Sequence, residues 1–411
     1  MWFAASGQTK KDPNIKRILQ NEDLTAHFQQ VVYMTRKVVC GMEGLIRGFE
    51  GGATVSPKAL FDAALKKGLT LELDRLCREK VLEAFGRVYQ KNKDKLLFIN
   101  LDASILDQVK GSDYLIRQAQ TYGVHPSNIV VEINETKVLD NNALKAFINR
   151  YRSAGFLIAL DDVGAGFSNL DRIPIVKPDI IKVDISLIRG IETDYHKQEV
   201  VKSLIRLATQ IGAMVVAEGV ETEQEAIETL HLGVNMIQGF YFSKPAELTE
   251  EPFANPRIDL LADKYKNHIT ETLRYEQRTY HQITTIAKKA LAELNGSENF
   301  DERLRSIVSK HSAVECAYVL DESGLQCSDT VFGTGKCSAR DNLIFYSARP
   351  GADHSMKRYY FQITNGRREK YVTEPYVSLA TGHLCVTFAE VFKNADNRKF
   401  ILCMDFCKAE G

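Results

Sequence analysis

Six hydrophobic runs in this 411-residue chain each end in, or closely approach, a polar residue able to bind a metal ion or move a proton. They are Lys95–Asn100 (KLLFIN), Ile129–Ile133 (IVVEI), Phe156–Asp162 (FLIALDD), Ile180–Asp184 (IIKVD), Met214–Glu218 (MVVAE) and Asn235–Phe240 (NMIQGF). Their polar members are Asn100, Glu132, Asp161 with Asp162, Lys182 with Asp184, Glu218 and Gln238. A buried strand gains nothing from a carboxylate unless that group is paired, bound to metal or turned to a cavity. One such strand would carry no weight. Six in succession, spaced by helix-length segments, predict a barrel with its working residues at one rim.

The rest of the pattern fits that reading. HFQQVVYM and KVVCGMEGLIR form a strand pair joined at Thr35–Lys37, so one barrel strand is expected to run against the others. Helices are predicted over Pro57–Lys67, Leu71–Gln90, Asn141–Ala154, Asp194–Ile211 and Thr222–Leu232. Repeated β–α units of this length give a parallel sheet, here of (β/α)8 type. Residues 1–20 are a polar N-terminal extension, and residues 21–250 hold the barrel. Residues 251–296 form a helical connector, since Ile258–Leu294 runs almost without breakers as one long helix or two abutting ones. In residues 297–411 a helix at Glu302–His311 precedes six strand-like runs: AYVLDESG, NLIFYSA, RYYFQI, YVTEPYVS, LCVTFAEVF and KFILCMDF. They predict an α+β domain on an antiparallel sheet.

Composition narrows the partners. With 53 basic and 53 acidic residues the formal net charge is zero, which argues against a broad grip on a DNA or RNA polymer. No apolar stretch is long enough for a membrane span, and the start, MWFAASGQTKKDP, lacks the apolar core of a signal peptide. A cytoplasmic location is expected. The eight cysteines contain no CxxC and read as reduced thiols.

The rim candidates are Glu43, Asn100, Glu132, Asp161, Asp162, Lys182, Glu218 and Gln238. Carboxylates and an amide oxygen are hard ligands that suit Mg²⁺ or Mn²⁺. So many acids on one cavity repel unless cations neutralise them. Two divalent ions would do so and would also clamp the attacking and leaving oxygens of a displacement at phosphorus. Lys182 could orient an attacking water, and Arg47 could fork a phosphate. The loop DDVGAGFSNL (Asp161–Leu170) reads either as a tight βα turn or as a flap able to close over substrate.

Seven short motifs, EGLIR, FINLDAS, VEINET, DDVGAGFSNL, IIKVD, AEGVET and IQGFYFSKP, occur in an order and spacing that resemble the EAL domains, the cyclic di-GMP phosphodiesterases of bacteria. The resemblance covers residues 20–250. It implies a modified (β/α)8, TIM-like barrel that cleaves cyclic di-GMP to linear pGpG with two Mg²⁺ or Mn²⁺ ions; Ca²⁺, with its looser coordination, is expected to support binding without turnover. By position, Glu43, Asn100, Glu132 and Asp161 would hold one metal, with Asp161 bridging to a second that Asp162 approaches. Glu218 would be the general base or water-positioning group and Lys182 its cationic partner. Glu135 would pin the loop, Gln238 would order metal water, Gln29 would meet a guanine edge and Arg47 a phosphate. Asp184 and Glu221 would support the site from behind.

The chain departs from the common pattern at Gly44, Gly48, Val163, Ala165, Phe167 and Asn169. Gly44 replaces the signature's alanine and is expected to matter little. The altered loop keeps open an alternative, a catalytically weak or inactive cyclic di-GMP receptor. Residues 297–411 resemble PAS or Cache-type sensor domains, which implies an unknown small ligand or a dimerisation sheet; Arg358, Tyr359, Tyr360 and Tyr376 would line a pocket or fill a core. A homodimer is expected.

Overall fold

The apolar runs do pair side by side. In the computed structural model, which describes residues 12–102, 105, 112–134, 141–165, 169–249, 251–333, 344–366 and 368–407, nine strands make the first sheet. They are β1 (Leu24–Tyr33), β2 (Val38–Glu50), β3 (Ala53–Val55), β4 (Leu96–Leu101), β5 (Ile129–Ile133), β6 (Leu157–Val163), β7 (Ile180–Val183), β8 (Met214–Ala217) and β9 (Met236–Gln238). The order β1-β9-β8-β7-β6-β5-β4-β2 closes through β1 and β2 into an eight-stranded barrel, and β3 adds to the outside of β2. Strand β1 runs antiparallel to both its neighbours; the other barrel pairs are parallel. The tight connection at Met34–Arg36 explains this, because a three-residue turn can join only antiparallel strands.

Strand alternation builds the barrel in layers. Val31, Phe98, Val130, Ala159, Ile180, Val216 and Met236 form an apolar plug inside it. Two residues further along six of those strands stand Asn100, Glu132, Asp161, Lys182, Glu218 and Gln238. The period of two puts each of them on the same inner face as the plug residue before it. On β1, which runs the other way, Gln29 precedes Val31 by the same step. A polar layer therefore caps the apolar one at the C-terminal mouth.

The helices behave as their apolar spacing predicts. Those at Thr70–Tyr89, Asn141–Ser153, Tyr195–Ile211 and Glu223–Leu232 turn one face to the outside of the barrel. The last begins in a capping box, Thr222 with Glu225, as its TEQE sequence allows. One expectation is corrected at the N-terminus. The span set aside as an extension contains a helix, Ile15–Asn21, whose Ile15 and Ile18 are buried in the barrel's outer core.

The long helix is a single element, Arg257–Leu294, and the division into two compact units falls within it, after Ile269. Ile258, Leu261 and Ala262 belong to the first unit's core, and Ile283, Ala287, Ala290, Leu291 and Leu294 to the second's. No helix among the described residues is long and apolar enough to cross a membrane.

The second unit is built on an antiparallel sheet of β10 (Val314–Asp321), β11 (Val331–Phe332), β12 (Lys370–Val372), β13 (Tyr376–Val377), β14 (Leu384–Lys393) and β15 (Lys399–Cys407), in the order β11-β10-β15-β14-β12 with β13 beside β14. Helix Phe300–Lys310 packs on one face. Three strand expectations need correction. RYYFQI is a helix, Arg358–Thr364, with Tyr359 and Ile363 buried four residues apart; over seven residues the two periodicities are too short to separate. YVTEPYVS is two short strands, broken where Pro375 cannot donate to the ladder. The described part of NLIFYSA carries no strand, and Ile344 and Tyr346 are exposed. The reduced-thiol expectation also fails at one position: Cys407 is disulfide-bonded, whereas Cys40, Cys77, Cys316, Cys327, Cys385 and Cys403 are free.

Candidate active site

Lys182 sits at the centre of the polar layer. Its side chain is 1% exposed, and its Nζ lies 2.5 Å from Glu132 Oε1, 2.5 Å from Glu218 Oε1, 3.2 Å from Asp161 Oδ1 and 3.6 Å from Glu43 Oε2. Four strands and the residue following a fifth thus bring four acids to one ammonium. Removing one member of such a buried set costs several kcal/mol (roughly 3–5), because the remaining charges stay desolvated.

Glu43 is held from both sides. Asn100 Nδ2 donates to its Oε1 at 2.7 Å, and Gln238 Nε2 donates to its Oε2 at 2.5 Å. Gln238 also reaches Gln29 Oε1 at 3.2 Å, while Gln29 Nε2 donates to the Ser243 carbonyl at 2.9 Å. Gln29 is therefore buried, with both ends of its amide engaged and one Nε2 hydrogen left over.

Asp161 and Asp162 are neighbours in β6, and a regular strand would send them to opposite faces. The β6–β7 register shifts between Leu160 and Val163, and Asp162 adopts φ 53°, in the left-handed region. This bulge lets one oxygen each of Asp161, Asp162 and Glu218 lie within 4.8 Å of one another. Gly164 follows at φ 103°, and a Cβ there would stand 2.3 Å from Leu187 Cδ1, so glycine is required.

The electrostatics follow from crowding. Burial alone would raise the Glu43 pKa, but Lys182 and the amide donors outweigh it and hold the group below its ordinary range. Burial, then the Glu43 charge, pushes Glu132 well above that range, so of these two acids Glu132 holds a proton the more readily. Burial and the nearby Asp161 and Glu43 charges likewise raise Glu218, against the pull of Lys182. Asp162 rises to about 6 through burial and its Asp161 and Asp184 neighbours. Burial works against charge on Lys182 too, yet the four acids together hold its proton well above the usual lysine value.

With all five carboxylates ionised, as bound cations would favour, one ammonium leaves four formal negative charges, which two divalent cations would cancel. Glu132 Oε2 and Gln238 Oε1 are buried and accept no hydrogen bond. Hard oxygen donors, surplus negative charge and unfilled acceptors together fit divalent metal ions.

The remaining predicted residues lie around this cluster. Arg47 is four residues past Glu43 on β2, half-buried, and its Nη1 donates to the Ile46 carbonyl at 2.9 Å. Asp184 is buried and caps the short helix Ile185–Ile188, accepting from Ser186 N at 2.9 Å; it meets the site through Asp162. Glu221 pairs with Arg189 at 2.8 Å near the surface. Glu135, Gly166, Phe167 and Ser168 lie outside the described residues.

Two further residues bear on the site and escaped the sequence reading. Asn134 Nδ2 donates to Asp162 Oδ2 at 2.5 Å; its signal was its place two residues past Glu132. Asp74 Oδ1 accepts from Asp102 N at 3.2 Å, two residues past Asn100, while pairing with buried Arg78, and no spacing in the sequence announced that contact.

Glycine at 44 has a tertiary cause. A Cβ there would lie 2.3 Å from Val81 Cγ1, on the helix behind β2. The expectation that the missing methyl matters little is thus refined: Val81 fills its space.

Comparison with known proteins gives the family. The EAL domain family matches residues 13–245. Probable cyclic di-GMP phosphodiesterase PdeB of Escherichia coli is 30% identical over 227 residues, covering 55% of this chain but only 43% of PdeB. The EAL-domain containing protein YkuI of Bacillus subtilis is 26% identical over 394 residues, 90% of this chain and 92% of YkuI. The YkuI crystal structure, a complex with substrate c-di-GMP and calcium, shares the fold at TM-score 0.80 and 24% identity, over 97% of this chain and 100% of that one. Klebsiella pneumoniae BlrP1, in a manganese/cy-diGMP complex, is 31% identical with TM-score 0.50, over 55% of this chain and 56% of that one. The chain belongs to the EAL domain family.

Proposed function

We propose that this protein is a cyclic di-GMP phosphodiesterase that hydrolyses its substrate to linear pGpG with two Mg²⁺ or Mn²⁺ ions. The observation that carries the reading is the convergence of Glu43, Glu132, Asp161 and Glu218 on Lys182, with Asp162 beside them, at one barrel mouth. Names and bound ligands of relatives support it: PdeB is called a cyclic di-GMP phosphodiesterase, and BlrP1 holds manganese with the dinucleotide.

Glu43, Asn100, Glu132, Asp161 and Asp162 would hold the ions, with Gln238 keeping Glu43 in place. Bound there, the ions would neutralise the phosphodiester and make water more acidic. Glu218 would take a proton from the water that attacks phosphorus as the bond to the 3′-oxygen breaks; that oxygen would take its proton from solvent, to which Glu218 later returns its own. Lys182, 2.5 Å from Glu218, keeps the base oriented and offsets charge on the phosphoryl oxygens. Arg47 is assigned to a substrate phosphate and Gln29 to the guanine side of the mouth.

The second unit is read as a PAS/Cache-like sensor or dimerisation module, and the protein as a homodimer. The antiparallel sheet, with the helices Phe300–Lys310 and Arg358–Thr364 packed on it, supports the first reading. Leu273, Tyr275 and Tyr280, exposed on the long helix, support the second.

The test is a binding-plus-turnover assay with purified protein in Mn²⁺ and in Ca²⁺. Linear pGpG should form with Mn²⁺, and Ca²⁺ should allow binding with little turnover. Tight binding with no product in Mn²⁺ would turn the reading to a receptor. Absence of binding by folded protein would reject both.

A further inference from the structure

Asp162 is difficult to hold in place. Its backbone is left-handed at φ 53°, a conformation that side chains other than those of glycine, asparagine and aspartate avoid. Its carboxylate stands among like charges, those of Asp161 and Asp184, both disfavouring the ionised form. Nothing in strand geometry aims it at the mouth, because the pleat would turn it away from Asp161. The bulge sets its backbone, and Ala165 N donates to the Asp162 carbonyl at 3.1 Å to close the turn. That leaves the side chain to be oriented.

Asn134 orients it. The residue lies just past β5, two positions beyond Glu132. Its Nδ2 donates to Asp162 Oδ2 at 2.5 Å. A neutral amide can hold one carboxylate oxygen without adding a cation that would compete with metal ions. With Oδ2 occupied, the carboxylate cannot rotate freely away from Asp161 and Glu218, to which it presents an oxygen within 4.8 Å.

We infer that Asn134 is a positioning residue that fixes the Asp162 carboxylate for the second of the two metal ions. The inference rests on the phosphodiesterase reading. Partners of this kind usually change metal affinity by about 10–100-fold when removed.

The experiment compares wild type, Asn134→Ala and Asn134→Thr, the last returning a donor as a hydroxyl. Mn²⁺ binding is measured by calorimetry without nucleotide, and metal-free crystal structures are determined for wild type and Asn134→Ala. Thermal unfolding of each variant checks folding. The expected result is that Asn134→Ala binds one Mn²⁺ about tenfold or more weakly, with the carboxylate swung away from Asp161 and unfolding unchanged. Turnover should recover at high Mn²⁺ with KM for the dinucleotide unaltered, and Asn134→Thr should regain most of the affinity. Unchanged Mn²⁺ affinity, or a carboxylate that stays in place in the Asn134→Ala crystal, would overturn the inference. A wild type that holds Asp162 as described yet binds no Mn²⁺ would defeat the phosphodiesterase reading, and with it the assignment to a second ion.

Discussion

The barrel mouth and the C-terminal sheet both bury polar groups, but they are organised in opposite ways. At the mouth, four acids share one lysine with Asp162 beside them, and Glu132 Oε2 and Gln238 Oε1 go without a hydrogen bond. On the sheet, Thr387 Oγ1 donates to Asp405 Oδ1 at 2.7 Å, while Ser378 Oγ at 3.4 Å and Cys316 Sγ at 3.5 Å approach its Oδ2. Tyr376 and Thr387 hydroxyls meet at 2.6 Å, and Tyr318, Tyr359, His354 and Gln326 form a continuous chain. The sheet's network answers nearly all its own demands, Glu315 Oε2 being an exception. A satisfied network specifies a fold, while one with surplus charge and idle acceptors is prepared for something else to enter. By this reasoning Tyr359, offered by the sequence as pocket or core, is core, while Tyr376 is half-buried beside it.

The comparison can be broken most severely at the mouth. Glu218→Ala should lower turnover roughly 10²–10⁴-fold, the ordinary worth of a general base, in a protein that still folds. Product formation at the wild-type rate would remove Glu218 from the chemistry. Lys182→Met should then show that the mouth is under-neutralised. Without divalent ions the variant should lose about 3–5 kcal/mol of stability, and Mn²⁺ should restore more of it than in wild type. Denaturant melts with and without Mn²⁺ measure this, and a variant indifferent to the ion would contradict the charge argument.

A smaller effect is expected behind the strand. Gly44→Ala should cost about 1–3 kcal/mol by overpacking against Val81, and Val81→Ala should relieve part of that loss in the double variant. Simple additivity in the double-mutant cycle would show that the methyl has room.

The gentlest test concerns the satisfied network. Burial raises the Asp405 pKa from an ordinary 3.8 to about 6, against the pull of the Thr387 donor. A raised folded-state value means that this group's contribution is present below about pH 4 and is lost as pH rises through 6. The second unit should therefore gain on the order of 1 kcal/mol per unit as pH falls from 6 toward 4, so far as Asp405 governs it. Asp405→Asn should flatten that slope, and an unchanged slope would assign it to other groups.

Much of the barrel was legible because alternation and burial act locally. A strand such as IVVEI shows its inner face directly, so Glu132 could be placed at a cavity before any contact was known. The antiparallel first strand was legible from its short turn. The tail was less so: RYYFQI is too brief for its period to choose between helix and strand, and its burial on a neighbouring sheet decided for helix. Gln29 was placed at a guanine edge by resemblance, whereas the partners of its amide, Gln238 and Ser243, stand more than two hundred positions away in the chain and could not be read from it.

The sequence by itself determined the barrel, its reversed strand and the set of oxygen donors at one mouth, since side-chain period and strand direction follow from covalent geometry and short turns. Tertiary structure alone decided that Lys182 stands among four acids, that a bulge turns Asp162 beside Asp161, that Asn134 holds it, and that Val81 occupies the space of a missing methyl. Those contacts join residues on different strands and helices, and only closure of the barrel brings them within reach of one another.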